Sequence, residues 1–390
     1  MDGTNASVSG DGEIGDARDL ERTRAWQRFT ARLGRLDPLT ASCTWNVCCM
    51  EVGAKAWAAR NGKPAHLGLV VLKAGLSGMF GRKEKDVCPA PSLINARCCE
   101  PMTLTKALRQ HVEVLTVDIG PRTVHAGDGL DRAARYIRGC FEDAGLEVDE
   151  QAYDYRGRRV TNLIATLPSA AGASAYYLVG AHYDTVPTTP GADDNASAVA
   201  VMLELGRRLT EIPTAAPVKL AAFTLEESPA FHTRHQGSRV FVRERKRAGD
   251  RILGAVVLEM VGYTCPRQHY PAVLHWAGYP RQGNFIGVVG DWRSRRFGRA
   301  VLKGFKKNGR LPVESLFVPL RGWVLPSTRL SDHASFWDSG IPALMVTDTA
   351  FFRNPNYHRP SDTIDTLDFE FMAQLVESLT LALAELPPLR

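Results

Sequence analysis

The chain has no apolar run long enough for a membrane helix, which needs about 20 consecutive apolar residues, and this excludes a helical membrane span. Its first residues, MDGTNASVSGDGEIGDARDLER, are polar and acidic and hold no apolar signal core, so a cytoplasmic protein is expected. Cysteine is scarce over most of the chain. Six of the eight, Cys43, Cys48, Cys49, Cys88, Cys98 and Cys99, precede residue 100. None has the C-x2-C spacing of a zinc ribbon, and without an export signal they are read as reduced thiols. Cys140 and Cys265 are read as inert. Net charge is only +6, and basic and aromatic residues are not interleaved, which excludes the common nucleic-acid modules. The densest basic run, RERKRAGDR (243–251), is read as a solvated face following a short helix. Residues 1–100 carry no motif and no internal repeat. Residues 1–101 are therefore expected to be an irregular extension, with the functional domain over 102–390, starting where helical periodicity begins.

What is present is a set of ligand-type residues at the ends of apolar runs. YYLVGA (176–181) reads as a buried parallel strand. His182 and Asp184 follow it, where open α/β sheets place their ligands. Residues two apart on extended chain point the same way, so Asp184 can approach the His182 ring and fix its tautomer. A Pro/Gly turn then leads to Asp193-Asp194-Asn195, which opens a helical pattern with Val199, Met202, Leu203, Leu205 and Leu209 on its apolar side. VKLAAFTL (218–225) is a second strand, ending in Glu226-Glu227. On an extended backbone these neighbours point to opposite sides, so one can ligate a metal while the other faces substrate as a base. ILGAVVLEM (252–260) carries Glu259, and ALMVTDT (343–349) leads to Tyr357 and His358. Two His and several carboxylates from four strand ends form the donor inventory of a dinuclear site that activates water for amide hydrolysis.

These motifs, H-x-D, G-A-D-D-N-A-S, E-E and Y-H-x-x-x-D, resemble the dizinc exopeptidase family of bacterial leucyl aminopeptidases, glutamate carboxypeptidases and glutaminyl cyclases, over residues 103–388. The resemblance implies two zinc ions or another divalent transition metal. It implies His182 as a ligand of one metal, Asp194 as the bridge, Glu227 as a ligand of the second, and Glu259 and His358 as further ligands. It implies Glu226 as the general base, Asp184 as the residue orienting His182, and Tyr357 as a donor to the developing oxyanion. The family more often has Asp where this chain has Glu259, one methylene longer. The substrate implied is a peptide or amino-acyl compound, with no nucleic acid or membrane as partner. An aminopeptidase is expected; a one-zinc glutaminyl cyclase or a carboxypeptidase on the same frame is the alternative. For the latter, Arg234, Arg239, Arg321 and Arg353 are candidates to grip a terminal carboxylate.

Other residues receive structural readings. Asp332-His333 in LSDHASFW is expected to begin a helix, with Ser331 or Asp332 as cap. His232 and His235 are read as surface or pocket-rim residues, and Asp362 as a buttress of His358 or a turn residue. Helices are expected over 103–116, 128–144 (stopping at Gly145), 297–309 and 367–386. Further strands are expected over 158–168 and 285–290. The alternation predicts a three-layer α/β/α sandwich with a central mixed sheet.

Overall fold

The computed structural model describes residues 103–388, except 126, 271–273 and 275–276. The expected extension, residues 1–101, lies outside the described residues. The segment His269–Arg281 belongs to a second compact unit; within it, Tyr279 N donates to Leu274 O at 3.1 Å. All that follows concerns the other unit. No helix among the described residues is long and apolar enough to cross a membrane.

In chain order the elements are α1 (Leu104–Glu113), α2 (Gly129–Asp143), β1 (Glu147–Tyr155), β2 (Arg158–Thr166), β3 (Ala175–His182), α3 (Ala198–Glu211), β4 (Val218–Phe223), α4 (Gly237–Arg247), β5 (Arg251–Glu259), β6 (Ile286–Asp291), α5 (Arg295–Asn308), β7 (Val313–Val318), α6 (His333–Asp338), β8 (Ala343–Thr347) and α7 (Phe369–Ala384). The strands form one eight-stranded sheet in the order β1-β2-β4-β3-β5-β8-β6-β7. The centre, β4-β3-β5-β8, is parallel, and β1-β2, β2-β4 and β6-β8 are antiparallel. The sheet is thus mixed, as expected.

Side-chain alternation along β4 assigns the two faces. Leu220 points to α3, where Gly206 leaves room for it: a Cβ there would sit 2.6 Å from Leu220 Cδ1. Phe223, three residues on, points the other way and packs on Phe241 of α4 and Phe336 of α6. Each such buried aromatic contributes about 1.5–3 kcal/mol. One helical layer is α1, α2, α3, α5 and α7, packed on one another; the other is α4 against α6. Layers on both faces bury both sides of the central strands, which is why β3 and β5 read as continuous apolar runs.

Several local expectations differ in detail. β1, sequence EVDEQAYDY, was not foreseen: it is an edge strand with largely exposed positions and so has no apolar run. β7 at the other edge was missed too: it is short and half-buried, and Glu314 and Ser315 interrupt its apolar residues. The basic run 243–247 does not follow a helix but forms the last turns of α4. Cations there complement the helix dipole.

Candidate metal centre

The catalytic-type residues converge at the carboxyl ends of the parallel strands. His182 is the last residue of β3, fully enclosed between β4 and β5. Its Nδ1 lies 3.2 Å from the backbone O of Asp184. A carbonyl only accepts, so Nδ1 carries the hydrogen and the Nε2 lone pair faces the site. The Asp184 carboxylate is 3.5 Å from Nδ1, and its oxygens are engaged elsewhere. Oδ1 accepts Glu226 N and Oδ2 accepts Glu227 N, each at 3.0 Å. The acid pair therefore does not stand on extended strand, as the sequence suggested. β4 ends at Phe223, Leu225 turns at φ +55°, and Asp184 fixes the next two amides.

The path from His182 to Asp194 is held by a residue that sequence reasoning missed. Arg122 is fully buried and donates to the carbonyls of Tyr183, Leu115, Pro190 and Gly191 at 2.8–3.0 Å. Burial lowers its pKa to about 10, opposed by Asp362, Asp194 and Asp184, so it stays charged at neutral pH. Gly191 is required at the turn: its φ is +62°, and a Cβ would lie 2.4 Å from Asp194 O. Asp362 then accepts Asp193 N at 2.9 Å and Asp194 N at 3.1 Å. It thus buttresses the Asp194 turn and not His358.

The same turn grips the other segments. Asn195 donates to Leu258 O and accepts Met260 N, bracketing Glu259 from both sides. Asp193 accepts Gly262 N and, at 2.7 Å, Asn354 Nδ2 from the loop that carries His358. These residues lay inside or near the quoted motifs, but their partners are distant in the chain, so no local signal assigned them a role.

Asp194 presents Oδ1 to His182 Nε2 at 3.4 Å and Oδ2 to His358 Nε2 at 3.2 Å. Glu259 Oε2 is 3.5 Å from His182 Nε2, and Glu227 Oε1 is 3.4 Å from His358 Nε2. Two groups result, His182/Asp194/Glu259 and Asp194/Glu227/His358, each with donor atoms within 4.8 Å of one another and sharing Asp194. His182 Nε2 and Glu227 Oε1 are buried without a hydrogen-bond partner. Tetrahedral bonds of 2.0–2.1 Å place neighbouring ligand atoms about 3.3 Å apart. The observed spacings fit cation ligands better than charge-assisted hydrogen bonds of about 2.7–2.9 Å.

The remaining site residues surround these groups. Glu226 Oε2 lies 4.0 Å from His182 Nε2. Tyr357 stacks on the His358 ring at 3.7 Å, and burial, then the carboxylates of Asp194, Glu227, Glu226 and Glu259, push its pKa up. Burial raises Glu226 well above the usual carboxylate range, with Glu259, Glu227 and Asp332 adding to it. Burial and Asp194 raise Glu227 to about 7. Burial works against charge on His182, but Glu259 and Glu226 outweigh it and hold its pKa well up. So many crowded carboxylates call for positive charge.

Asp332 also belongs here. It starts α6 but makes no side-chain cap. Its Oδ1 instead accepts Gln236 Nε2 at 2.9 Å, and its Oδ2 is buried without a partner. Ser331 does not cap either; it donates to Glu259. His232 and His235 stay outside, against Arg239 and Arg234. Three of the candidate arginines are committed: Arg353 to Gln268 and Phe285 O, Arg239 to Asp338, and Arg321 to Asp338 O.

Comparison with known proteins bears on this arrangement. Residues 162–382 match the model of peptidase family M28. The chain is 37% identical to the uncharacterised Escherichia coli protein YfbL over 284 residues, 70% of this chain and 85% of that one. It is 29% identical to aminopeptidase YwaD of Bacillus subtilis over 216 residues, 53% of this chain, and spans only 40% of that protein's length. A solved glutaminyl cyclase from Bacteroides thetaiotaomicron shares the fold with a TM-score of 0.56 at 17% identity, covering 72% of this chain and 98% of that one.

Proposed function

The chain belongs to peptidase family M28, and from that premise we propose that it is a metal-dependent aminopeptidase with a dinuclear site. The observation that carries the reading is Asp194, whose two oxygens face two histidines, one at the end of β3 and one in the loop beyond β8. His182, Asp194 and Glu259 would hold one ion; Asp194, Glu227 and His358 would hold the other. Nitrogen and oxygen donors suit zinc or another divalent transition metal. Bound ions supply Lewis-acid polarisation of the scissile carbonyl and lower the pKa of water.

The chain's own residues do the rest. Glu226, fixed through its amide by Asp184, takes a proton from the attacking water. It then delivers that proton to the leaving amine as the C–N bond breaks. Tyr357 donates to the oxygen on which negative charge develops. Amino- is favoured over carboxypeptidase because the site is lined by carboxylates while Arg239, Arg321 and Arg353 are engaged elsewhere. A terminal ammonium suits that surface, and of the four candidate arginines only Arg234, beside His235, is left to grip a terminal carboxylate.

The test combines metal analysis with a substrate panel. Purified protein should carry up to two zinc-type ions per chain, lose activity on chelation and regain it with Zn or Co. It should hydrolyse amino-acyl anilides faster than peptides blocked at the amino end. Activity that survives exhaustive chelation refutes the proposal. One zinc per chain with cyclisation of N-terminal Gln peptides selects the cyclase reading in its place.

A further inference from the structure

We propose that Ser331 is a positioning residue that holds the Glu259 carboxylate toward the first donor group. The inference rests on the dinuclear reading above. Ser331 Oγ donates to Glu259 Oε2 at 2.7 Å, and both residues are buried, at 0% and 6% exposure. The same Oε2 faces His182 Nε2 at 3.5 Å. One hydroxyl thus holds the oxygen that turns toward the first donor group.

The physical need follows from the side chain. Glutamate has one more rotatable bond than aspartate, so the end of β5 alone does not fix its carboxylate. A carboxylate only accepts hydrogen bonds, so the hydroxyl is the donor, and the length is that of a charge-assisted bond. Ser331 can act this way because its own segment is pinned. Arg329, two residues before it, donates to Arg321 O at 2.6 Å and to Asp338 at 2.7 Å. Asp332, just after it, is held by Gln236. His333 Nε2 lies 2.7 Å from Thr328 O. A shorter aspartate at 259 would draw its carboxylate back from the hydroxyl, so residue length and Ser331 form one device.

The experiment is zinc titration of the metal-stripped full chain by calorimetry with a competing chelator. The variants are Ser331→Ala, Ser331→Thr, Glu259→Asp and Ser331→Ala with Glu259→Asp. Losing an outer partner of a metal ligand typically costs 10–100-fold in affinity. Ser331→Ala should show about that loss for one ion only, leaving the ion of Asp194, Glu227 and His358 at wild-type affinity. Ser331→Thr, which keeps the hydroxyl, should bind within a few-fold of wild type. Glu259→Asp should weaken the same ion, and adding Ser331→Ala should weaken it no further. Equal zinc binding by folded Ala and Thr variants, or fully additive losses in the double variant, overturns the proposal. A wild-type chain that binds no zinc refutes the dinuclear reading itself, a separate failure.

Discussion

Asp194 and His358 meet at 3.2 Å, Oδ2 to Nε2, although they stand at the start of one helix and in a loop beyond the last strand. The contact exists because Asp193, the neighbour of Asp194, is bonded by Asn354 from the His358 loop. Asp194 and His358 are therefore set by one shared clamp. The two groups sharing Asp194 should respond together when their supports are removed, and separately when individual donors are changed.

Asp184 offers the first check. Its carboxylate accepts two amides, and Asn can accept only one while turning its NH2 toward the other. Asp184→Asn should lower stability by about 1–3 kcal/mol, the scale of an unsatisfied buried donor. It should also lower kcat by about 10–100-fold, as for other supports of metal sites. Denaturant unfolding and steady-state kinetics measure the two effects. Wild-type kcat in this variant would show that the Glu226-Glu227 turn holds its shape without it.

The Glu pair should separate base from ligand. Glu226→Gln keeps shape but accepts no proton, so kcat should fall by about two to four orders of magnitude with metal content near normal. Glu227→Gln should lose metal. Elemental analysis of both proteins decides, and the opposite pattern would reverse the two assignments.

Tyr357 should act only where charge develops. Tyr357→Phe should reduce kcat by about ten- to a thousandfold, by analogy with loss of an oxyanion donor, with KM little changed. Because the ring stacks on His358, metal content and thermal stability serve as controls. Intact metal, intact stability and an unchanged kcat would make the tyrosine a packing residue.

A stability prediction concerns a cluster outside the site. His111 of α1 lies 2.8 Å from Tyr136 OH and 4.0 Å from Cys140 Sγ on α2, and 3.3 Å from Glu204 of α3, itself paired with Arg207. Burial opposes charge on His111, but the Cys140 and Glu204 contacts outweigh it and raise the pKa from 6.5 to about 9. A folded pKa above the unfolded one adds stability that is complete below pH 6.5 and lost as pH rises through 9. The effect is at most about 3.4 kcal/mol, from 1.36 kcal/mol per pKa unit. Relative to His111→Gln, the wild-type chain should lose melting temperature between pH 6.5 and 9. Parallel melting curves for the two proteins over that range would disprove it.

Legibility in the sequence followed burial. Strands enclosed on both faces, such as Ala175–His182 and Arg251–Glu259, are apolar throughout and were readable as strands to within a residue or two. Edge strands such as Glu147–Tyr155 bury little and left no such trace. Helices with strong stripes were readable too: Gly129–Asp143 ends just before Gly145, as expected. The donor residues were readable because strand ends and turns are local features.

By itself, the sequence determined the α/β alternation and which residue types sit at which strand ends, since hydrophobic periodicity and turn chemistry act over a few residues. Only the tertiary structure decided how those ends combine. It paired His182 with Glu259 and His358 with Glu227 across Asp194. It also gave Asp184 to the Glu226 and Glu227 amides rather than chiefly to the histidine ring. Arg122, Asn195, Asp362 and Ser331 owe their roles to partners far along the chain. Such partners are chosen by sheet order and loop packing, where buried polar groups must find one another, and no local pattern records that choice.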